Sequence, residues 1–196
     1  MEKHIMLDLE TMGKGPEAAI VSIGAVEVLP EVGSVGAEFY RVVDLASSMR
    51  NGGVVDGSTI MWWMRQNDAA RAALNTEGTP AHRADIYSVL NDFIDWVHAL
   101  VPPNEHGVSD VDVWGNGATF DNVILSSAFG NTGMLKRPWG YRNDRCYRTL
   151  KNLYPQIKCP DVGVKHHALD DARAQGLHLI ELLKAARGDA WKAFAP

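Results

Sequence analysis

The chain has 196 residues, 46% of them hydrophobic and 22% charged, a balance that fits one globular domain with a real core and excludes a disordered chain. No apolar run reaches the roughly 18 residues that a membrane-spanning helix needs, so no membrane partner is expected. A formal net charge of −5 weighs against the large basic footprint of a protein that coats long nucleic acid, and fits a cluster of acids with a small footprint better.

The N-terminus, MEKHIMLDLE, carries charge through its short apolar stretch and does not read as a signal peptide. Ile5 to Leu9 is apolar with one acid, like a buried strand. Ala19 to Leu29 reads as a second strand with Ser22 and Gly24 inside it, Gly36 to Val43 as a third, and Pro30 to Gly33 as the hairpin connection. Short links between three strands predict an antiparallel meander. The period then changes. Ser58 is a candidate cap for a helix that begins near Thr59 and covers Ile60 to Met64, and Asp68 to Leu74 predicts a second short helix. Pro80 opens a longer one, in which Ile86, Leu90, Phe93, Ile94, Val97 and Leu100 recur at spacings of a helical face before Pro102 and Pro103 end it. Val111 to Trp114 predicts a short buried strand, broken by Gly115 and Gly117, with a helix starting near Phe120. Arg137 to Asp144 reads as a loop with a short edge strand, and Cys146 to Tyr154 as a helix stopped by Pro155. The last long helix is expected over Ala168 to Ala186, closed by Gly188. Cys146 and Cys159 are the only cysteines and have no metal-type spacing, which fits a reducing cytoplasm. This order predicts a mixed α/β layer fold, antiparallel at its start.

Acids fall at informative places. Asp8 and Glu10 stand at i and i+2, on one face at the end of the first strand, where a solvated strand terminus explains them as well as a bound cation does. Asp121 falls in the first turn of a helix, a position that the macrodipole alone favours. In HHALDDARAQGLHL, the residues Ala168, Ala172, Gly176, Leu179 and Leu183 form a packing stripe that starts small, letting the helix approach the sheet. Asp171 lies at the edge of that stripe, whereas Asp170 points away as a solvated or helix-start charge. Clustered carboxylates repel one another unless cations hold them, and hard oxygen ligands favour two ions of Mg²⁺ or Mn²⁺. Two such ions, roughly 3.5–4 Å apart, suit phosphodiester cleavage, with a histidine from the preceding loop taking a proton from water.

Three motifs in order carry a family resemblance. They are Asp8-Leu9-Glu10-Thr11, followed by IVSIGAV; WGNGATFD, ending at Asp121; and His166-His167-Ala168-Leu169-Asp170-Asp171-Ala172. In these the chain resembles the DEDDh 3′→5′ exonucleases, and the Trp62-Trp63 element and the WGNGATFD form are similar to the phage DexA-type and mycobacterial exoribonuclease group. The resemblance implies a ribonuclease H-like fold: a mixed five-stranded sheet with an initial antiparallel meander, flanked by helices, with residues 1–196 as one catalytic domain. It implies single-stranded 3′ ends of DNA or RNA as partners, release of nucleoside 5′-monophosphates, and homodimers among the relatives. By the same resemblance Asp8, Glu10, Asp121 and Asp171 hold two cations, and His166 is the base. Leu9, Thr11, Met12, Asn116 and Phe120 would contact the terminal nucleotide. His167 and Asp170 duplicate the chemistry of their neighbours, so a register shifted by one residue stays open.

Of Trp62 and Trp63, adjacent on a helix, one is expected in the core and the other free to stack on a base. Lys136, Arg137, Arg142, Arg145, Arg148 and Lys151 form the basic stretch, which reads equally as a phosphate guide or a solvated surface. Asn116 reads as a turn residue or a substrate contact, and His82, His98, His106 and His178 as surface residues. Two other functions compete: a ribonuclease H-type endonuclease with the same acids, and a silent nucleic-acid-binding module on this fold.

Overall fold

The computed structural model describes residues 3–74, 83–133 and 135–193. Its first three strands, β1 (His4–Thr11), β2 (Ile20–Leu29) and β3 (Ser34–Val43), pair antiparallel in sequence, the expected meander. A six-residue helix absent from the sequence reading follows, α1 (Leu45–Arg50), too short to show a period and set by Asp44, whose carboxylate accepts from the Ser47 N–H at 2.6 Å. The helix α2 (Gly57–Trp63) is capped by Asp56 and not by Ser58, because Asp56 is the extended residue whose carboxylate meets the Thr59 N–H at 2.9 Å. Next, α3 (Asp68–Leu74) has its expected bounds. The two-residue strand β4 (Arg83–Ala84) precedes α4 (Ile86–Leu100), which starts behind its cap Asp85; Pro80, the expected opening, lies outside the described residues, as does His82.

The later elements are β5 (Asp112–Gly115), α5 (Asp121–Asn131), a 3₁₀ turn at Tyr141–Asn143, β6 (Asp144–Cys146), α6 (Tyr147–Leu153) and α7 (Ala168–Ala193). The last helix runs through Gly188, which does not take the left-handed backbone by which a glycine stops a helix. Strand order is β4-β3-β2-β1-β5-β6. Five strands form the expected mixed sheet, parallel along β1, β5 and β6, and β4 adds two residues at the β3 edge.

Alternation along β1 divides the core. Ile5, Leu7 and Leu9 pack with α4 and α5 on one face, whereas Met6 packs with α6 and α7 on the other. Asp8 and Glu10 continue the Met6 face, so the acids point toward the α7 side. Gly24 sits opposite Asp8 in the β1–β2 register, and a Cβ there would overlap the backbone of Ala168. Its missing side chain lets the first residue of α7 rest on the sheet beside Asp8. The stripe on α7 is as expected at Ala168, Ala172, Gly176 and Leu179, but Leu182 and not Leu183 is the buried leucine that follows.

His178 is a correction. It is 3% exposed, not a surface residue, and bridges α7 to the segment after α6. Its Nε2 lies 2.9 Å from the Ile157 carbonyl, which can only accept, so Nδ1 is left to accept from the Tyr147 hydroxyl at 2.6 Å. Burial lowers its proton affinity and fits that neutral form. Two others expected at the surface are closer to that expectation, with His106 exposed and His98 half-buried near the Gly107 carbonyl.

Candidate active site

Three elements bring the acids to one end of the sheet. β1 carries Asp8 and Glu10, α5 begins with Asp121, and α7 carries Asp171 in its first turn. The parallel ladder between β1 and β5 ends at the pair Leu7–Gly115. The Leu9 N–H beyond it donates instead to Asp121 Oδ1 at 3.2 Å, which ties the second acidic motif to the first. Gln175 Nε2 donates to Asp8 Oδ1 at 2.8 Å. The His166 N–H donates to Asp171 Oδ2 at 2.9 Å, and His166 itself takes the left-handed backbone, φ 65°. Donor atoms of Glu10, His166 and Asp171 all lie within 4.8 Å of one another.

The electrostatics are those of acids crowded out of water. Asp8 is pushed well above the usual carboxylate range by burial and by the charges of Asp121, Glu10 and Asp171. Burial, with Asp171 and Asp121, raises Glu10 to about 8. Burial raises Asp121 to about 7 against the Leu9 N–H, and burial also raises Asp171 against the His166 N–H. Two buried oxygens here, Asp121 Oδ2 and Gln175 Oε1, have no hydrogen-bond partner among the described residues. Unpaired oxygen lone pairs among repelling carboxylates are the donor set that a hard divalent cation would satisfy.

Two cavities flank this ridge, and Leu9, Glu10 and Phe120 line both. One, of about 660 Å³, is bounded by the four acids, His166, Gln175, Asn116, Arg148 and Lys151. The other, of about 470 Å³, is aromatic, walled by Trp62, Trp63 and Thr11. Trp63 is 4% exposed and donates its indole N–H to the Thr11 carbonyl at 3.0 Å, whereas Trp62 is 37% exposed with its ring 4.9 Å from that of His166. The Thr11 hydroxyl donates to the Gly13 carbonyl at 2.8 Å, so toward any ligand it can only accept. Met12 lines neither cavity; its N–H and carbonyl are taken by Ala19 and Asp56.

The neighbouring duplicates face elsewhere. The His167 ring packs 4.5 Å from that of Tyr40, with Nδ1 3.7 Å from Asp170. Of the two readings of Asp170, the helix-start charge is the one found: it lies in the first turn of α7, accepts from the Val164 N–H and from Arg173, and so ties down the loop before the helix. The basic stretch also divides. Arg137 pairs with Asp144 at 3.1 Å and Arg145 with Asp112 at 2.8 Å, fastening β6 to its surroundings, while Arg148 and Lys151 reach the larger cavity. Gln175 was not singled out from the sequence. Its position one helical turn after Asp171 was the available signal.

Comparison with known proteins points the same way. An exodeoxyribonuclease of Enterobacteria phage T4 is 25% identical over 211 residues, covering 93% of this chain and 90% of its own. The solved nuclease domain of 3′hExo, a DEDDh family member bound to rAMP, superposes with a TM-score of 0.57 at 15% identity, over 94% of this chain and 92% of that one. Exonuclease X, in complex with 5′ overhanging duplex DNA, gives 0.53 at 18% identity over 93% and 92% of the two chains. These likenesses establish the ribonuclease H-like fold. The model of the 3′-5′ exoribonuclease Rv2179c-like domain matches residues 3–183. The chain therefore belongs to the Rv2179c-like 3′-5′ exoribonuclease domain family and is a 3′-5′ exonuclease.

Proposed function

We propose that this exonuclease releases nucleoside 5′-monophosphates one at a time from single-stranded 3′ ends of RNA or DNA. In this reading Asp8, Glu10, Asp121 and Asp171 hold two divalent cations, Mg²⁺ or Mn²⁺, and His166 is the general base. The observation that carries it is the convergence of four carboxylates, their proton affinities raised by burial, beside one imidazole. Bound together, two such ions supply positive charge to the attacking and leaving oxygens of phosphodiester hydrolysis. Oxygen donors from two rigid elements and a helix start suit hard cations.

The protein's own residues do the rest. His166 stands at the edge of the acid cluster on a backbone held by Asp171, placed to take a proton from water; an imidazole is the side chain suited to that exchange near neutral pH. Gln175 orients Asp8. The aromatic cavity takes the terminal nucleoside, with Leu9, Phe120 and the exposed face of Trp62 against the base and the Thr11 oxygen accepting from the sugar hydroxyl. A bound rAMP in the 3′hExo structure is a nucleotide of the size expected as product here.

The test is a time course on matched single-stranded DNA and RNA labelled at the 5′ end, with Mg²⁺, Mn²⁺ or EDTA. A ladder that shrinks from the 3′ end only with metal supports the reading, and the faster ladder identifies the sugar. Cleavage that persists in EDTA removes the metal assignment. No cleavage of either polymer favours the silent binding module.

A further inference from the structure

Two cations on the larger cavity stand without a carboxylate in direct contact, although the Arg148 charge reaches Asp121. The basic residues earlier in the same stretch, Arg137 and Arg145, are held by aspartates. Arg148 and Lys151, one helical turn apart on α6, instead lean on one neutral residue: the Arg148 guanidinium donates to the Asn116 carbonyl at 2.5 Å, and Lys151 Nζ donates to Asn116 Oδ1 at 3.4 Å. Among the described residues neither makes an ion pair with a carboxylate. Their positions are nonetheless built. Gly117, φ 111°, lies under the guanidinium, where a Cβ would come 3.3 Å from the Arg148 Cζ, and Lys151 Nζ is 5.2 Å from the centre of the Tyr147 ring. Both side chains line the same cavity as the four acids, and neither lines the one walled by the tryptophans.

The chemistry of the substrate says what such a wall meets. On the 3′ side of the bond to be cut there is one nucleoside and no further phosphate. Every remaining phosphate lies on the 5′ side. Cations on this wall have two phosphates within the substrate to meet, the scissile one and the next on the strand that stays behind, and their absence from the lining of the nucleoside pocket favours the second. We propose that Arg148 and Lys151, set by Asn116 and Gly117, form a seat for the phosphate of the next linkage on the 5′ side of the scissile one. The inference rests on the exonuclease reading above and names the second subsite of that same site. It makes a trinucleotide, or a dinucleotide that carries a 5′-phosphate, the shortest substrate to use the whole site, and makes the seat blind to base and sugar, since it reads only phosphate.

The experiment uses two trinucleotides that differ at the upstream linkage, one an ordinary phosphodiester and one a neutral methylphosphonate, with release of the 3′-terminal mononucleotide followed by chromatography. For the natural chain the neutral linkage should raise KM about 2- to 5-fold, the effect of one partly exposed charge contact. In Arg148→Gln, Lys151→Gln and the double variant, KM for the ordinary substrate should rise toward the neutral-linkage value, and the difference between substrates should shrink or vanish. An unchanged ratio in the variants, whatever their kcat, overturns the proposal and assigns the two residues to the scissile phosphate or to the support of Asp121. A natural chain indifferent to the neutral linkage overturns it as well. Failure of the natural chain to cut even the ordinary trinucleotide with Mg²⁺ or Mn²⁺ counts against the exonuclease reading itself, so the two failures are distinguishable.

Discussion

His166 and His167 are chemically identical and one residue apart, yet they face different surroundings. His166 borders Glu10 and Asp171, whereas His167 is packed on Tyr40 and near Asp170. His166→Ala should therefore lower kcat by about 10²- to 10⁴-fold in a single-turnover assay. His167→Ala should cost far less activity and act mainly on thermal stability; the opposite order would move the base by one position. The tryptophans divide similarly. Trp63→Ala removes a buried indole and its hydrogen bond to Thr11, and should cost about 3–5 kcal/mol in denaturant unfolding. Trp62→Ala should leave the unfolding midpoint near that of the natural chain and raise KM for a single strand, since base stacking is worth about 1–3 kcal/mol. The motif register pointed to His166 but left a one-residue shift open, and nothing in two adjacent tryptophans said which is buried. That depends on which way a side chain leaves the backbone.

At the scale of elements, the joint between α7 and β2 decides whether the site exists. Gly24 is the point of contact, and the carbonyl and amide atoms of Ala168 and Leu169 occupy the space that a side chain would need. Backbone cannot yield as a flexible side chain does, so Gly24→Ala should lift the start of α7, cost about 1–3 kcal/mol and reduce kcat together with stability. A variant that unfolds normally and cuts normally would show that the approach is not needed. Periodicity exposed the long elements, the meander, α4 and α7, because each has a face to bury. It missed α1 and placed the cap of α2 two residues late. Six residues are too few for a period, and Asp56 and Ser58 are both good caps whose difference is backbone conformation alone.

Across the whole molecule, four acids held above their ordinary proton affinities make folding depend on pH, and in the proposed metal site on the cation as well. Between the usual carboxylate range and about 8, the value for Glu10, the folded metal-free protein binds more protons than the unfolded chain. The slope of stability with pH then has a negative contribution: what the protonated acids contribute is fully present below the unfolded values and is lost as pH rises toward 8. In EDTA, urea unfolding should show a less stable protein at pH 8 than at pH 5.5. Saturating Mn²⁺ should stabilise it more at pH 8 than at pH 5.5, because the ion binds the ionised carboxylates. Equal Mn²⁺ stabilisation at both values would mean that the raised acids are not the metal's ligands.

Three motifs in order, Asp8 to Thr11, the segment to Asp121 and His166 to Ala172, carried the resemblance to the family and marked the acids, although each acid alone reads equally as a solvated strand end or a helix-start charge. The alternation of β1 also determined that Asp8 and Glu10 share a face. Only the tertiary structure decided that His166 rather than His167 meets those acids, that Trp62 rather than Trp63 is open, and that His178 is buried. It also separated Arg148 and Lys151 from the paired arginines of the same stretch. The physical reason is common to all four. Residue type and spacing set what a side chain can do, but its partner comes from an element distant in the chain, and only packing determines which element that is.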